Sequence, residues 1–174
     1  MSSSPLTHDP LLLELMDRVR NRFYGKYRGI VTDVDDSTWR IKASVPNVLP
    51  GGASGWCMPC VPYAGPQVGF CMLPETGSAV WIEFEGGDPS YPIWVGMYWT
   101  SGDLPSNASA SVKSIITSAG SIAFDNNQSS ITLTDAQNNT VVLDDSGVTS
   151  TSGSNSVAIG TSSVSVNDGA MEVS

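Results

Sequence analysis

The residues of this sequence best suited to chemistry are its three cysteines. Cys57 and Cys60 have the CxxC spacing of a redox pair or of half a zinc site, and Cys71 is a possible third ligand. A structural zinc site requires four ligands, and the only histidine, His8, lies on the far side of a predicted helix. We therefore expect ordinary, partly buried free thiols, no metal site and no cofactor.

Groups for acid, base or nucleophilic catalysis are equally sparse. A Ser-His-Asp triad would have to use His8, which precedes every predicted strand. Two carboxylate pairs are present, Glu83 with Glu85 and Asp144 with Asp145. The first is predicted on the outward face of a strand and the second at a turn, so we expect both to be solvated. The sequence predicts a protein that is not an enzyme.

Composition narrows the possible partners. Only 14% of the 174 residues are charged, against roughly 25% in an average globular protein, so the surface is built largely from Ser, Thr, Asn and Gly. A net charge of −9 disfavours nucleic acid and anionic membranes, because both partners require a basic face. No apolar run approaches the ~20 residues of a membrane helix. We expect a soluble protein, made in a reducing cytosol, that binds no nucleic acid.

The sequence changes character near residue 105. Every Trp, Tyr and Pro lies at or before Pro105, and seven of the eight basic residues lie at or before Lys42. Such a shift marks two architectures joined by a Ser-rich, Gly-rich and Asn-rich segment. We predict an N-terminal helix and arm at 1–25, a barrel at 26–104, a linker at 105–111 and a repetitive region at 112–174.

The N-terminal segment has helix signals. Asp9 is a good N-cap and Pro10 suits the first helical position, so we predict a helix from Asp9 to Phe23. Its apolar stripe either packs on its own domain or docks on a neighbouring subunit. The residues assigned to docking are Leu12, Leu15, Met16, Arg18, Val19, Arg22 and Phe23.

Between residues 26 and 104 the apolar period changes to two, the period of half-buried strands. Five short strands with Gly and Pro turns are typical of a small Greek-key barrel such as the OB-fold, in which closure removes exposed sheet edges. The predicted strands are Gly29–Val34, Trp39–Val45, Val68–Leu73, Val80–Phe84 and Ile93–Trp99.

After residue 111 short apolar alternations recur every 7 to 10 residues, separated by turn formers. This spacing indicates a β-solenoid or β-prism of one strand and one corner per unit. A disordered low-complexity tail is the alternative. The apolar positions are Ile115, Ile122, Phe124, Ile131, Leu133, Val141, Leu143, Val148, Val157, Ile159, Val164, Val166, Met171 and Val173.

A single narrow layer of strands leaves such side chains bare. Ordering about 60 residues costs on the order of 90 kcal/mol, whereas some sixteen buried side chains return only ~1.5–3 kcal/mol each. Several identical chains winding around one dry axis solve this problem, and three chains give a closed prism. We predict a homotrimer with these fourteen residues as its core, and a needle of about 35 Å from strands ~4.8 Å apart.

Four motifs between residues 27 and 104 resemble the OB-fold domain shared by phage baseplate assembly protein V and the Vgr spike proteins of type VI secretion. The repeats that follow are similar to the intertwined trimeric β-helix of that family. The motifs are Val61-Pro-Tyr-Ala-Gly-Pro-Gln-Val-Gly-Phe70, Pro74-Glu-Thr-Gly77, Val80-Trp-Ile-Glu-Phe-Glu-Gly-Gly-Asp-Pro89 and Pro92-Ile-Trp-Val-Gly96.

The resemblance implies a puncturing spike at the baseplate tip of a contractile tail or injection system. It also implies a hub protein above the spike, transient contact with the target cell envelope, and assembly in the cytoplasm of the producing cell. The tail-lysozyme domain of some relatives has no room here, and residues 167–174 lack the His-x-His that binds iron at some tips. We expect a blunt end that receives a separate PAAR-like tip protein.

Two other functions remain open at this stage. One is an OB-fold binding module for oligosaccharide or single-stranded nucleic acid, with Tyr and Trp as stacking platforms and a flexible tail. The other is an enzyme, which wall-lytic activity of the purified protein would reveal.

Overall fold

The computed structural model describes residues 10–173, without the side chains of Arg18 and Glu172. His8 and the predicted N-cap Asp9 lie outside the described residues. The chain divides between Asp103 and Leu104 into two compact units, which we call the barrel unit and the sheet unit.

The helix α1 covers Pro10–Arg20, so it ends three residues earlier than predicted. The chain leaves the helix because Phe23 is held on the barrel. Its backbone N–H donates to the carbonyl oxygen of Gly87 at 2.8 Å, and its ring lies 6.2 Å from Tyr27 and 6.3 Å from Phe84. These contacts redirect the chain from the helix into the first strand.

The barrel unit contains a five-stranded sheet in the order β2-β1-β6-β7-β3, and a separate hairpin of β4 and β5. All neighbours in the five-stranded sheet are antiparallel except β3 and β7. The strands are β1 Tyr27–Asp35, β2 Arg40–Ser44, β3 Met58–Pro59, β4 Ala64–Gly65, β5 Val68–Gly69, β6 Ala79–Phe84 and β7 Pro92–Met97.

The sheet curls around one apolar core, as an OB-like half-barrel. The edge strand β2 is bridged to the segment leading into β3, because the N–H of Cys57 donates to the carbonyl of Ile41 at 2.7 Å. Inward side chains lose nearly all contact with solvent, which stabilises the unit. The core consists of Val31, Ile41, Ala43, Val45, Val48, Cys57, Val80, Ile82, Phe84 and Trp94.

One predicted strand is wrong. Val68–Leu73 is a strand only over Val68–Gly69, where it pairs with Ala64–Gly65 outside the main sheet. Two residues, Pro66 and Gln67, connect these strands, and neither strand pairs with the five-stranded sheet. The fifth strand of the main sheet is instead Met58–Pro59, which pairs with β7.

The sheet unit is one eight-stranded antiparallel sheet in which every strand pairs with its neighbours in sequence. The disordered-tail alternative is therefore wrong. The strands are β8 Val112–Thr117, β9 Gly120–Asp125, β10 Ser130–Asp135, β11 Thr140–Asp144, β12 Gly147–Ser152, β13 Asn155–Ile159, β14 Val164–Val166 and β15 Met171–Val173.

Tight turns connect these strands. Asp144 Oδ1 accepts hydrogen bonds from the backbone N–H and the hydroxyl of Ser146, at 2.8 and 2.7 Å. Gly147 follows with φ 131°, and a Cβ there would lie 2.0 Å from the carbonyl oxygen of Ile159 on the adjacent strand. Only glycine fits this close approach of two strands.

Candidate functional site

Strand register determines which side chains share a face of the sheet unit. Directly opposed residues of an antiparallel pair point to the same side of the sheet. Ile131 is opposed by Phe124 on one side and by Leu143 on the other, and Val157 is opposed by Val166. This register runs without interruption from β8 to β15. All fourteen residues predicted as a trimer core therefore lie on one face.

This apolar face consists of two columns with one residue from each strand. The first column is Lys113, Phe124, Ile131, Leu143, Val148, Ile159, Val164 and Val173. The second is Ile115, Ile122, Leu133, Val141, Ser150, Val157, Val166 and Met171. Sequence reasoning missed two members, Lys113 and Ser150, because both are polar. Lys113 lies two residues from Ile115, and Ser150 lies two residues from Val148. This spacing was the signal that could have placed both residues on the same face.

The opposite face has a different composition. Its central column contains mainly small or hydroxylated side chains, which remain compatible with water. The members are Ser114, Ala123, Thr132, Val142, Thr149, Ala158 and Ser165. The two faces therefore favour opposite environments, and only one of them favours burial.

A single chain does not bury the apolar face. Ile159 is 52% exposed and Met171 is 61% exposed, and no described residue after Trp94 is buried. Removing apolar surface from water is worth about 25 cal/mol per Å². A face of this size and uniformity is thus a surface for association.

Two family models match the chain, one in each unit. A model described as the type VI secretion system/phage-baseplate injector OB domain matches residues 27–99. A model described as the phage baseplate V C-terminal trimerisation domain matches residues 114–172, which includes nearly all of the apolar face. The chain belongs to the phage baseplate V family. No curated protein matches it.

The family assignment confirms the resemblance drawn from the sequence motifs. Membership of this family indicates a structural role in a phage or type VI secretion baseplate, and thus a component of a virion or an injection particle. Its sheet unit matches a trimerisation domain, which supports the predicted homotrimer. Among the described residues, no helix has both the length and the apolar character needed to cross a membrane.

The apolar side chains of helix α1 are exposed to solvent. Leu12, Leu15, Met16 and Val19 are all exposed. Two other residues assigned to docking have contacts within the chain: Arg22 forms an ion pair with Asp88 at 3.0 Å, and Phe23 packs against the barrel core. The side chain of Arg18 lies outside the described residues.

The basic residues near the helix also have partners in the same chain. Arg20 pairs with Asp17 at 3.0 Å, and Lys26 pairs with Glu83. Glu83 is thus one half of a surface ion pair. These pairs reduce the positive charge that the arm presents to a partner.

The three cysteines are not grouped as the ligands of a metal site would be. Cys57 is buried in the core, where its Sγ lies 3.2 Å from the hydroxyl of Ser54, and burial raises the pKa of its thiol. Cys60 and Cys71 are exposed, and all three thiols are free. Within residues 10–173, no group of three or more Cys, His, Asp or Glu is arranged to hold a metal ion.

Two carboxylates of the sheet unit, Asp135 and Asp144, accept hydrogen bonds within turns. The hydroxyl and N–H of Ser146 stabilise the ionised form of Asp144 and lower its pKa. Asp135 accepts hydrogen bonds from the N–H of Gln137 at 2.9 Å and of Asn139 at 2.8 Å, and the Asn139 contacts lower its pKa. Both carboxylates therefore support strand connections in the trimerisation domain.

Aromatic residues of the barrel unit have two arrangements. The Arg28 guanidinium lies 5.8 Å from the ring of Trp81 and 5.6 Å from that of Tyr98. Beside the hairpin of β4 and β5 lies an open cavity of about 760 Å³, whose lining includes Tyr63 and Phe70. The faces of Trp81 and Tyr98 thus already contact a cation of the same chain, Arg28.

Proposed function

We propose that this protein is the central, cell-puncturing spike of a contractile tail or injection system. Three copies bring their apolar faces together around a common axis, and the resulting prism transmits the force of sheath contraction to the target cell envelope. The apolar face of the sheet unit carries this proposal. It presents fourteen apolar side chains in two columns that run from strand to strand, with Lys113 and Ser150 as the two polar members.

The geometry of the sheet suits a needle. Eight strands stacked ~4.8 Å apart span about 34 Å, close to the length predicted from the sequence. In the meander, hydrogen bonds between consecutive strands run along the stacking direction, so each copy contributes a continuous ladder. The outward face of small and hydroxylated side chains stays in water. The function is mechanical and uses no enzymatic step.

A substitution in the last strand, β15, tests the proposed puncturing role. Met171→Asp places three carboxylates among the terminal apolar residues and should loosen the tip while leaving most of the needle assembled. Particles with this variant should incorporate the protein and contract normally, yet permeabilise fewer target cells. Ser165→Asp, on the opposite face of the neighbouring strand, is the matched control. Equal permeabilisation by wild type and Met171→Asp would contradict a puncturing role for this end.

We also propose that helix α1 docks on the baseplate hub. The exposed apolar side chains of this helix, among them Leu15 and Met16, support a largely apolar contact, and the nearby Arg20, Arg22 and Lys26 are already paired within the chain. Deleting residues 1–20 retains Phe23 and its barrel contacts. This variant should remain trimeric but be absent from assembled particles. Normal incorporation, measured by mass spectrometry of purified particles, would refute the docking role.

A separate PAAR-like tip protein is proposed at the β15 end. The three copies would present a ring containing Met171 and Val173, which are exposed in the single chain. A conical cap would cover these side chains. Mass spectrometry of wild-type particles should detect a cap protein, and Met171→Asp particles should lose it. Particles that contain the spike but no further small tip protein would contradict this part of the proposal.

A further inference from the structure

Lys113 is the one charged residue in the two columns of the apolar face. It opposes Phe124 across the β8–β9 pair and precedes Ile115 by two residues, so its Cβ points to the same side as the predicted core. It is also the only basic residue after Lys42 in the sequence. A lysine among apolar residues at the edge of the sheet requires a physical explanation.

The surroundings of Lys113 are rich in polar groups. Its ammonium group donates to the carbonyl oxygen of Ala110, which uses one of three N–H donors. Ala110 lies between Ser109 and Ser111, whose hydroxyl oxygens are 3.1 Å apart. Each chain therefore brings a partly satisfied ammonium group and two hydroxyl groups to the β8 end of the sheet.

We infer that three Lys113 ammonium groups converge on the trimer axis at the β8 end and bind one small oxyanion of the phosphate or sulfate class. The inference rests on the proposed function, because one chain supplies only a third of the site. Three like charges close to one axis repel each other, and a multivalent anion between them replaces that repulsion by attraction. Lysine binds phosphate oxygens well as a point charge. Since β8 is an edge strand of the sheet, Lys113 lies at one end of the proposed prism.

Calorimetric titration of the full chain with inorganic phosphate, at constant ionic strength, tests the site. Wild type should bind one phosphate per three chains. Lys113→Met retains the aliphatic stem and should bind about tenfold more weakly or worse, because the charged donors are lost. Lys42→Met is the matched control, since the ammonium group of Lys42 lies over Trp56 in the barrel unit, 4.7 Å from the ring centroid. This control should bind phosphate as wild type does.

Mass measurement of each sample in the same buffer separates the possible failures. Trimeric wild type that binds no phosphate would overturn this inference and leave the spike intact. So would unchanged phosphate binding by trimeric Lys113→Met, or a Lys113→Met trimer that is merely more stable while wild type binds nothing. That last result would give Lys113 the role of protecting a sheet edge. A monomeric wild type would overturn the spike proposal and the anion site together.

Discussion

The barrel unit and the sheet unit use the same strand alternation with opposite results. In the barrel unit Val31, Ile41 and Ile82 are almost completely buried within one chain. In the sheet unit no residue of the apolar face is buried, and ten of its fourteen apolar side chains are 37% to 61% exposed. Alternation of apolar and polar residues therefore predicts which face seeks burial. It does not predict which chain provides the second layer.

Topology accounts for the difference. The barrel sheet curls until the Cys57 bridge connects its edge strand β2 to the segment before β3, so that it covers its own interior. In the sheet unit each strand pairs only with its sequence neighbours, and the sheet does not close on itself. The first unit should be stable in one copy, whereas the second should depend on association. Four substitutions test this contrast.

Val157→Asp is expected to have the largest effect. In the proposed trimer it places three carboxylates around one axis, where they must repel each other or take up protons, at a cost of at least about 3 kcal/mol per chain in addition to about 1.5–3 kcal/mol of lost apolar burial. We expect loss of the trimer in mass measurements and of the sheet-unit transition in thermal melts. Ser156→Asp, on the opposite face, should be nearly silent. Equal effects from both substitutions would mean that the apolar face is not the trimer core.

Ile82→Ala tests the stability of the barrel unit. The cavity left in the barrel core should cost about 2–5 kcal/mol per chain and lower the melting temperature of the barrel unit. The trimer mass should persist, because Ile82 lies in the self-contained core. Ile30→Ala on the neighbouring strand is the control, since Ile30 is already 41% exposed and its truncation should cost less. Dissociation of the trimer by Ile82→Ala would show that the two units are not independent.

Gly147→Ala should destabilise the sheet unit by about 1–3 kcal/mol per chain, because the new Cβ meets the carbonyl of Ile159 at a positive φ. Gly160→Ala is the matched control. A Cβ at Gly160 would have its nearest neighbour at 3.6 Å, an ordinary contact, so this substitution should be close to neutral. Chemical denaturation of both trimers measures the difference, and equal stability would contradict the register of β12 and β13.

Asp144→Asn should have the smallest effect, a slight loss of stability at neutral pH that disappears in acid. The hydroxyl of Ser146 lowers the pKa of the folded-state carboxylate, so the ionised group stabilises the fold above the ordinary aspartate pKa of about 3.9. That contribution is lost as the pH falls through the lower, folded-state value. Wild type should therefore lose more stability below pH 4 than Asp144→Asn or Ser146→Ala. Identical acid dependence in all three proteins would show that this turn is not involved.

The sheet unit was largely predictable because its pattern is local. Each strand is bounded by turn formers, and apolar residues such as Ile131 and Leu133 stand two apart. Pairing of sequence neighbours then fixes one face. Lys113 and Ser150 were missed because assignment by residue type excludes polar members, although register includes them.

The barrel unit was less predictable because several of its contacts are long-range. The pairing of Met58–Pro59 with β7 joins residues more than thirty positions apart, and two residues are too few for any alternation. The motif at 68–73 alternates like a strand, yet Pro66 and Gln67 confine its pairing to a short hairpin. The early end of helix α1 depends on the bond between Phe23 and Gly87. None of these contacts leaves a periodic signal in the sequence.

The pairing of sequence neighbours in the sheet unit means that the length of the proposed spike can change by whole hairpins. Because each strand depends only on the strands before and after it, insertion of one hairpin adds two layers without disturbing the pairing elsewhere. Each such insertion lengthens the stack by about 9.6 Å and restores the original chain direction. In the proposed spike, duplication of hairpins would therefore adjust the reach without any change in the barrel unit.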